Sequence, residues 1–267
     1  TQDGTVRFSK AAFTFSNPTE QGAGGTATAT FYSNRPFRAV LKAFFDDRQL
    51  LENLLTERYG VATGFAEPRD EFQEFTLDEL QYLATVFEDL PSGFHHIAGL
   101  EKVVRRKNGL VNPLSPLAPA IAWVGAGYIE FMDIEYESRS EDYIRRLIAH
   151  EMTHFVWHKV LTEETKTQFM KLSGLSRTRP PGGITASDGK ASDHPKASSS
   201  KSVAEIWYRT TTTNFVSDYA AALNSDEDFA ETVSYYIYLP DRVRTIAPDK
   251  YNFVKDVVNG YEYVILV

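Results

Sequence analysis

Residues 148–158 read IAHEMTHFVWH, and the pattern His150-Glu151-x-x-His154 within them constrains the fold more than any other stretch. On an α-helix, residues four apart share a face, one turn from each other. A helix here aims both imidazoles in one direction. Ile144, Leu147, Ile148 and Phe155 give the same helix an apolar side that must be buried. Ser140 can cap its start, and Glu141 and Asp142 fall in the first turn, where the helix dipole favours acids. The spacing predicts an amphipathic helix over roughly 141–160, directly after the β-rich run GYIEFMDIEY at 127–136.

Two imidazoles so placed can meet one zinc ion at bond lengths of ~2.0–2.1 Å. Glu151 lies ~100° round the helix from His150. From there it can reach a metal-activated water without ligating the ion, which suits a general base. The alternative is a helix at the edge of a core that carries His and Glu without chemical purpose. The chain has no cysteine, so thiolate ligands and disulfides are excluded and a metal must use His, Asp or Glu. A third histidine, His158, lies ~12 Å along a straight helix from His150. One ion with bonds of ~2 Å cannot span that. Three-histidine zinc motifs break the helix with a glycine after the second His, and HEMTHFVWHKV has none. His158 is expected at the surface or in packing. His95 and His96 follow a turn signal, and His194 lies in a polar loop.

The remaining ligand must come from elsewhere, and SDEDFAETVSYY at 225–236 is the best source. Glu227 and Glu231 are four apart on an expected helix. Glu227 can ligate the ion, while Glu231 can accept a hydrogen bond from the far nitrogen of a ligand histidine and fix its tautomer. Phe229, Ala230, Val233 and Tyr236 are its apolar companions. Acids at 226–228 also suit a plain helix start, a reading that accounts less well for Glu231.

Together, His150-Glu151-Met152-Thr153-His154 and Glu227-Asp228-Phe229-Ala230-Glu231 resemble the gluzincin zinc metallopeptidases. The likeness is to the group containing the catalytic domain of anthrax lethal factor and the Pro-Pro endopeptidases, and it spans roughly residues 70–260. It implies an α+β, zincin-like domain with a small mixed sheet, an active-site helix and a C-terminal helical part. It implies Zn2+ held by His150, His154 and Glu227, supported by Glu231, with Glu151 as the base. A tyrosine shortly before the second motif would stabilise the oxyanion: Tyr219, or failing that Tyr208. The implied activity is endopeptidase cleavage of a protein or peptide substrate. In related enzymes an edge strand before the active helix holds that substrate, which points to residues 125–132; the alternative is that this stretch is an interior strand. The second reading is a catalytically silent or toxin-like protein-binding module that keeps the fold.

The 267 residues are 42% hydrophobic, enough for a real core. Residues 1–34 read as a β-like arm or small element, and 35–267 as the main domain. That domain carries a long polar Pro/Gly/Ser/Lys-rich loop at 176–202. A net charge of −8 argues against a nucleic-acid partner. No apolar run reaches the ~18 residues of a membrane span. With TQDGTVRF at its start, the chain reads as either a mature or a trimmed form, and a lost targeting segment is an expectation consistent with both. A secreted, cell-surface or periplasmic location and a monomeric state are expected. Helices are expected over 36–60, from Thr76 with a Thr76/Glu79 capping box, over 225–238 and over PDKYNFVKDVVNG near the end; LEKVVRR reads as a strand, the proline-rich VNPLSPLAPAIAW as a surface loop, and the tail YEYVILV as β-like.

Overall fold

A computed structural model describes residues 12–17, 25–30, 47–90, 94–133, 140–176, 184–186, 207–209, 214–222 and 224–259. The chain divides into two compact units, Thr1–Phe44 and Phe45–Val267. In the first, β1 (Ala12–Asn17) and β2 (Gly25–Thr30) pair antiparallel, with Ala12 opposite Thr30 and Asn17 opposite Gly25. The larger unit is α+β, with a small mixed sheet and eight α-helices among the described residues.

Five strands form that sheet: β3 (Ala62–Thr63), β4 (Phe72–Gln73), β5 (Lys102–Arg106), β6 (Ala120–Trp123) and β7 (Tyr128–Phe131). β5 runs parallel to β3 and β7 and antiparallel to β4, and β6 closes a hairpin with β7. Gly127 ends the hairpin turn at φ 76°, a left-handed conformation that glycine adopts without strain. This order corrects two expectations. β7, within 125–132, is an interior strand flanked by β5 and β6; among the described strands β6 is an edge, as are β3 and β4 on the far side of β5. Residues 120–123 are therefore not loop. Proline ends at Pro119, and AIAW has a hairpin partner in YIEF that local propensity does not reveal.

Residues on one sheet face, Val103, Ala120, Ala122, Ile129 and Phe131, are buried. Ala120 and Ala122 are small, so a helix can approach the edge strand closely. Arg105 shares this interior, 2% exposed, with Nε 2.9 Å from Glu79 Oε1 and an amino group 3.2 Å from Asp133. Glu79 thus serves twice. Its other oxygen accepts from the Thr76 backbone N–H (2.8 Å), while Thr76 Oγ1 accepts from Glu79 N (3.2 Å), completing the capping box read from sequence. Thr76→Ala is expected to lower unfolding free energy by about 1 kcal/mol, measurable as a shifted urea midpoint with unchanged slope.

The helices are α1 (Arg48–Tyr59), α2 (Leu77–Asp89), α3 (Glu141–Phe155), α4 (Glu163–Leu172), α5 (Asp218–Ala222), α6 (Ser225–Tyr238), α7 (Pro240–Ile246) and α8 (Pro248–Asn259). α1 starts at its Asp47 cap and ends on Gly60; residues 36–46, the first part of the helix expected over 36–60, lie outside the described residues. The expected 141–160 helix is α-helical only to Phe155, and Val156–Val160 forms a π-helical turn. A separate small sheet orders β8 (Leu175–Ser176), β10 (Trp207–Arg209) and β9 (Ile184–Ala186). β9 and Ser176 of β8 fall inside the expected polar loop at 176–202, the rest of which, like the YEYVILV tail, lies outside the described residues.

α3 and α6 make the most extensive helix–helix contact. They run antiparallel: His154 meets Asp226, His150 meets Glu231, and Arg146 stacks over the Tyr235 ring at 4.6 Å. Trp157, Phe169 and Phe229 cluster behind them, with Phe229 ring centroids 5.2 Å from Trp157 and 5.0 Å from Phe169. Phe229 thereby anchors the middle of EDFAE and leaves Glu227 and Glu231 facing α3. No helix among the described residues is long and apolar enough to cross a membrane.

Candidate metal centre

Both site helices are fixed at their N-termini by side-chain caps. Ser140 Oγ accepts from Tyr143 N (3.4 Å) at the start of α3, and Asn224 Oδ1 accepts from Glu227 N (2.9 Å) at the start of α6. The second cap pins the backbone of Glu227 itself. At the helix crossing, His150 Nε2, His154 Nε2 and Glu227 Oε2 converge. His150 to Glu227 is 3.0 Å, His150 to His154 3.2 Å and His154 to Glu227 3.5 Å. All three residues are buried, and together they could hold a metal ion. For a tetrahedral ion with bonds of ~2.0–2.1 Å, ligand atoms sit ~3.3 Å apart. The observed triangle has that size, so the donor set fits such an ion without rearrangement.

The outward nitrogens of both imidazoles are also engaged. His150 Nδ1 is 3.1 Å from Glu231 Oε1, and Ser217 Oγ donates to the other Glu231 oxygen at 2.6 Å. His154 Nδ1 is 2.8 Å from Asp226 Oδ1. With each Nδ1–H donating outward, loss of the Nε2 proton would leave each Nε2 lone pair directed at the shared centre, the arrangement that orients metal-ligand histidines.

Four carboxylates surround two histidines here, and the electrostatics follow. Burial pushes the His150 pKa down, but hydrogen bonds to Glu227 and Glu231 outweigh it and hold it at about 9. Burial opposes charge on His154 too, and Asp226 and Glu227 overcome it and raise its pKa well above the usual value. Burial raises the Glu227 and Asp226 carboxyls, but the adjacent imidazoles win and hold both well below the usual carboxylate range. A centre that favours imidazolium this strongly favours positive charge generally.

Glu151 is 5% exposed and belongs to neither hydrogen-bonded pair. Burial is the largest influence on it and raises its pKa. The two imidazoles and a backbone hydrogen bond from Ala122 on edge strand β6 pull the other way. Tyr219, on α5, is half-exposed, with its ring 5.9 Å from that of His150. Burial of its hydroxyl, then the charges of Glu227, Glu151 and Glu231, raise its pKa, and the hydroxyl bonds Glu227. Tyr208 lies on the middle strand β10, and its side chain is outside the described residues.

The structure therefore brings His150, Glu151, His154, Tyr219, Glu227 and Glu231 into one place. His158 is not part of the converging triad, yet it is no bystander: its Nε2 lies 2.7 Å from Asp226 Oδ2. Sequence reasoning passed over Asp226 because a dipole explains an acid at a helix start. Its neighbourhood to Glu227, and two histidines four apart on the facing helix, were the available signals. His95 Nε2 donates to the Phe87 carbonyl (2.8 Å), a structural contact in the α1–α2 region. No family model, no curated protein and no solved structure matches this chain.

Proposed function

We propose that the protein is a zinc-dependent endopeptidase of the gluzincin type, with a zincin-like fold around the α3–α6 centre. The convergence of His150 Nε2, His154 Nε2 and Glu227 Oε2 beside the buried carboxylate of Glu151 carries this reading. Two imidazoles and a carboxylate, with no thiolate, suit a borderline cation such as zinc. Zinc held there by His150, His154 and Glu227 would supply Lewis acidity for activating water and polarising a carbonyl.

The chain's own residues perform the rest. Glu151, whose pKa burial raises, accepts a proton from the attacking water and returns it to the departing amine nitrogen. Glu231 and Asp226 hold the imidazoles in the ligating tautomer. The Tyr219 hydroxyl stands next to Glu227 and can donate to the carbonyl oxygen as negative charge develops on it. β6 pairs on one side only among the described strands and borders the active helix through the Ala122–Glu151 contact. An extended peptide could add to its free edge. The loop that leads into β6 exposes Leu110, Val111, Leu114 and Leu117, apolar surface suited to such a substrate.

Protein purified without chelator should carry one zinc per chain and cleave members of a mixed peptide library. Chelation should stop cleavage and added zinc should restore it. Zinc-loaded protein that leaves a broad set of peptides and unfolded proteins intact would instead support a catalytically silent binding module.

A further inference from the structure

We infer that His158 and Asp226 form a positioning pair that holds ligand His154 and sets how long the metal stays bound. The inference builds on the metal centre described above and needs no peptidase activity. The Asp226 carboxylate is divided between two histidines. Oδ1 is 2.8 Å from His154 Nδ1 and Oδ2 is 2.7 Å from His158 Nε2. Asp226 is 7% exposed, so it cannot replace either partner with bulk water at low cost. With one oxygen tied to His158, the carboxylate has a single rotational setting, and that setting aims its other oxygen at His154.

Helix geometry explains how His158 reaches this position. After Phe155 the backbone leaves the α pattern, and Leu161 N bonds the Val156 carbonyl at 3.0 Å, five residues back. Such a turn holds one residue more than an α turn and rotates the side chains that follow. Trp157 goes inward against Phe229, while His158 swings onto the start of α6 with 43% of its side chain exposed. π turns recur at functional sites, and this one lies directly behind the second ligand histidine. Around Asp226 stand His154 and His158 from α3 and its π turn, and Glu227 from its own helix. Among the described residues no lysine or arginine pairs with Asp226. His158 is therefore the outer end of a line running His158, Asp226, His154, metal centre.

Zinc affinity and release, measured on the whole protein by competition with a chromogenic chelator, test the pair. Asp226→Ala should weaken zinc binding by about 10–100-fold, and His158→Ala by about tenfold through faster release. His158→Gln, which can place an N–H donor where Nε2 stood, should restore most of the loss. His158→Ala added to Asp226→Ala should cost nothing further, since the route to the metal is already cut. The visible spectrum of the cobalt-substituted protein should shift in His158→Ala and return in His158→Gln. Thermal melts of the metal-free His158→Gln protein should match the parent, because a donor to the buried Asp226 oxygen is kept. Wild-type release kinetics in His158→Ala, or equal losses with and without Asp226, overturns the pair while leaving the metal centre standing. A parent protein that binds no zinc overturns both.

Discussion

Glu151→Gln is expected to lower peptide hydrolysis about 10²–10⁴-fold while zinc stays at one ion per chain. Glutamine matches glutamate in size, so the packed surroundings of this 5% exposed side chain are preserved. It retains an oxygen that can accept from Ala122 N–H, the backbone contact now made by Glu151. What it removes is the ability to accept and return a proton. The ligand triangle of His150, His154 and Glu227 does not include residue 151, so metal content should not move. Rates on a peptide cleaved by wild type, together with elemental analysis of the same samples, decide the matter. A variant that cleaves like wild type places the base elsewhere. Loss of zinc along with activity makes Glu151 part of the metal's support.

Lys250→Met should destabilise the protein by about 3–5 kcal/mol. Asp228 is fully buried one residue after the candidate ligand Glu227, and Lys250 Nζ from α8 reaches its Oδ2 at 2.6 Å. Ser173 Oγ donates to the same oxygen at 2.5 Å, and Thr232 Oγ1 to the other at 3.3 Å. The ammonium also lies 4.1 Å from the Phe215 ring centroid. Burial raises the Asp228 pKa, with Lys250 the first group to counter it. Removing the lysine strands a carboxylate in a site that water cannot reach. Adding Asp228→Asn should recover much of the loss, because the amide oxygen still serves Ser173 and no charge remains uncompensated. Urea unfolding in the presence of chelator measures this without metal binding contributing to apparent stability. A loss below about 1 kcal/mol would mean that α8 does not neutralise Asp228. The pair ties the first turn of α6 to α8, so the backbone carrying Glu227 is held from behind as well as by the Asn224 cap.

Local signals were legible where a few neighbouring residues settle the outcome. Thr76 with Glu79, and Ser140 before an amphipathic run, mark helix starts because a cap acts within one turn. α6 likewise spans the residues expected from its periodicity. Elements that depend on partners were missed. AIAW pairs with YIEF, and the proline-rich approach to it hid a strand. α7 follows Leu239 with proline at its first turn, a residue that also signals a break. The π turn sets Trp157 against Phe169 and Phe229, a packing that no window around residue 157 reveals.

The candidate site divides the same way. The sequence by itself determined that His150 and His154 share a face, that Glu151 stands beside them, and that Glu227 and Glu231 share another, because a helix converts four-residue spacing into proximity. Only the tertiary structure decided that the two faces meet, with the candidate ligand atoms 3.0–3.5 Å apart across more than seventy residues of chain. It alone made Asp226 a bridge between His154 and His158 rather than a helix-start acid, and it set β7 in the sheet interior with β6 at an edge among the described strands. Spacing acts through the local backbone. Which surfaces meet is set by packing Phe229, Trp157 and Phe169 behind the helices and by the strand order beneath them.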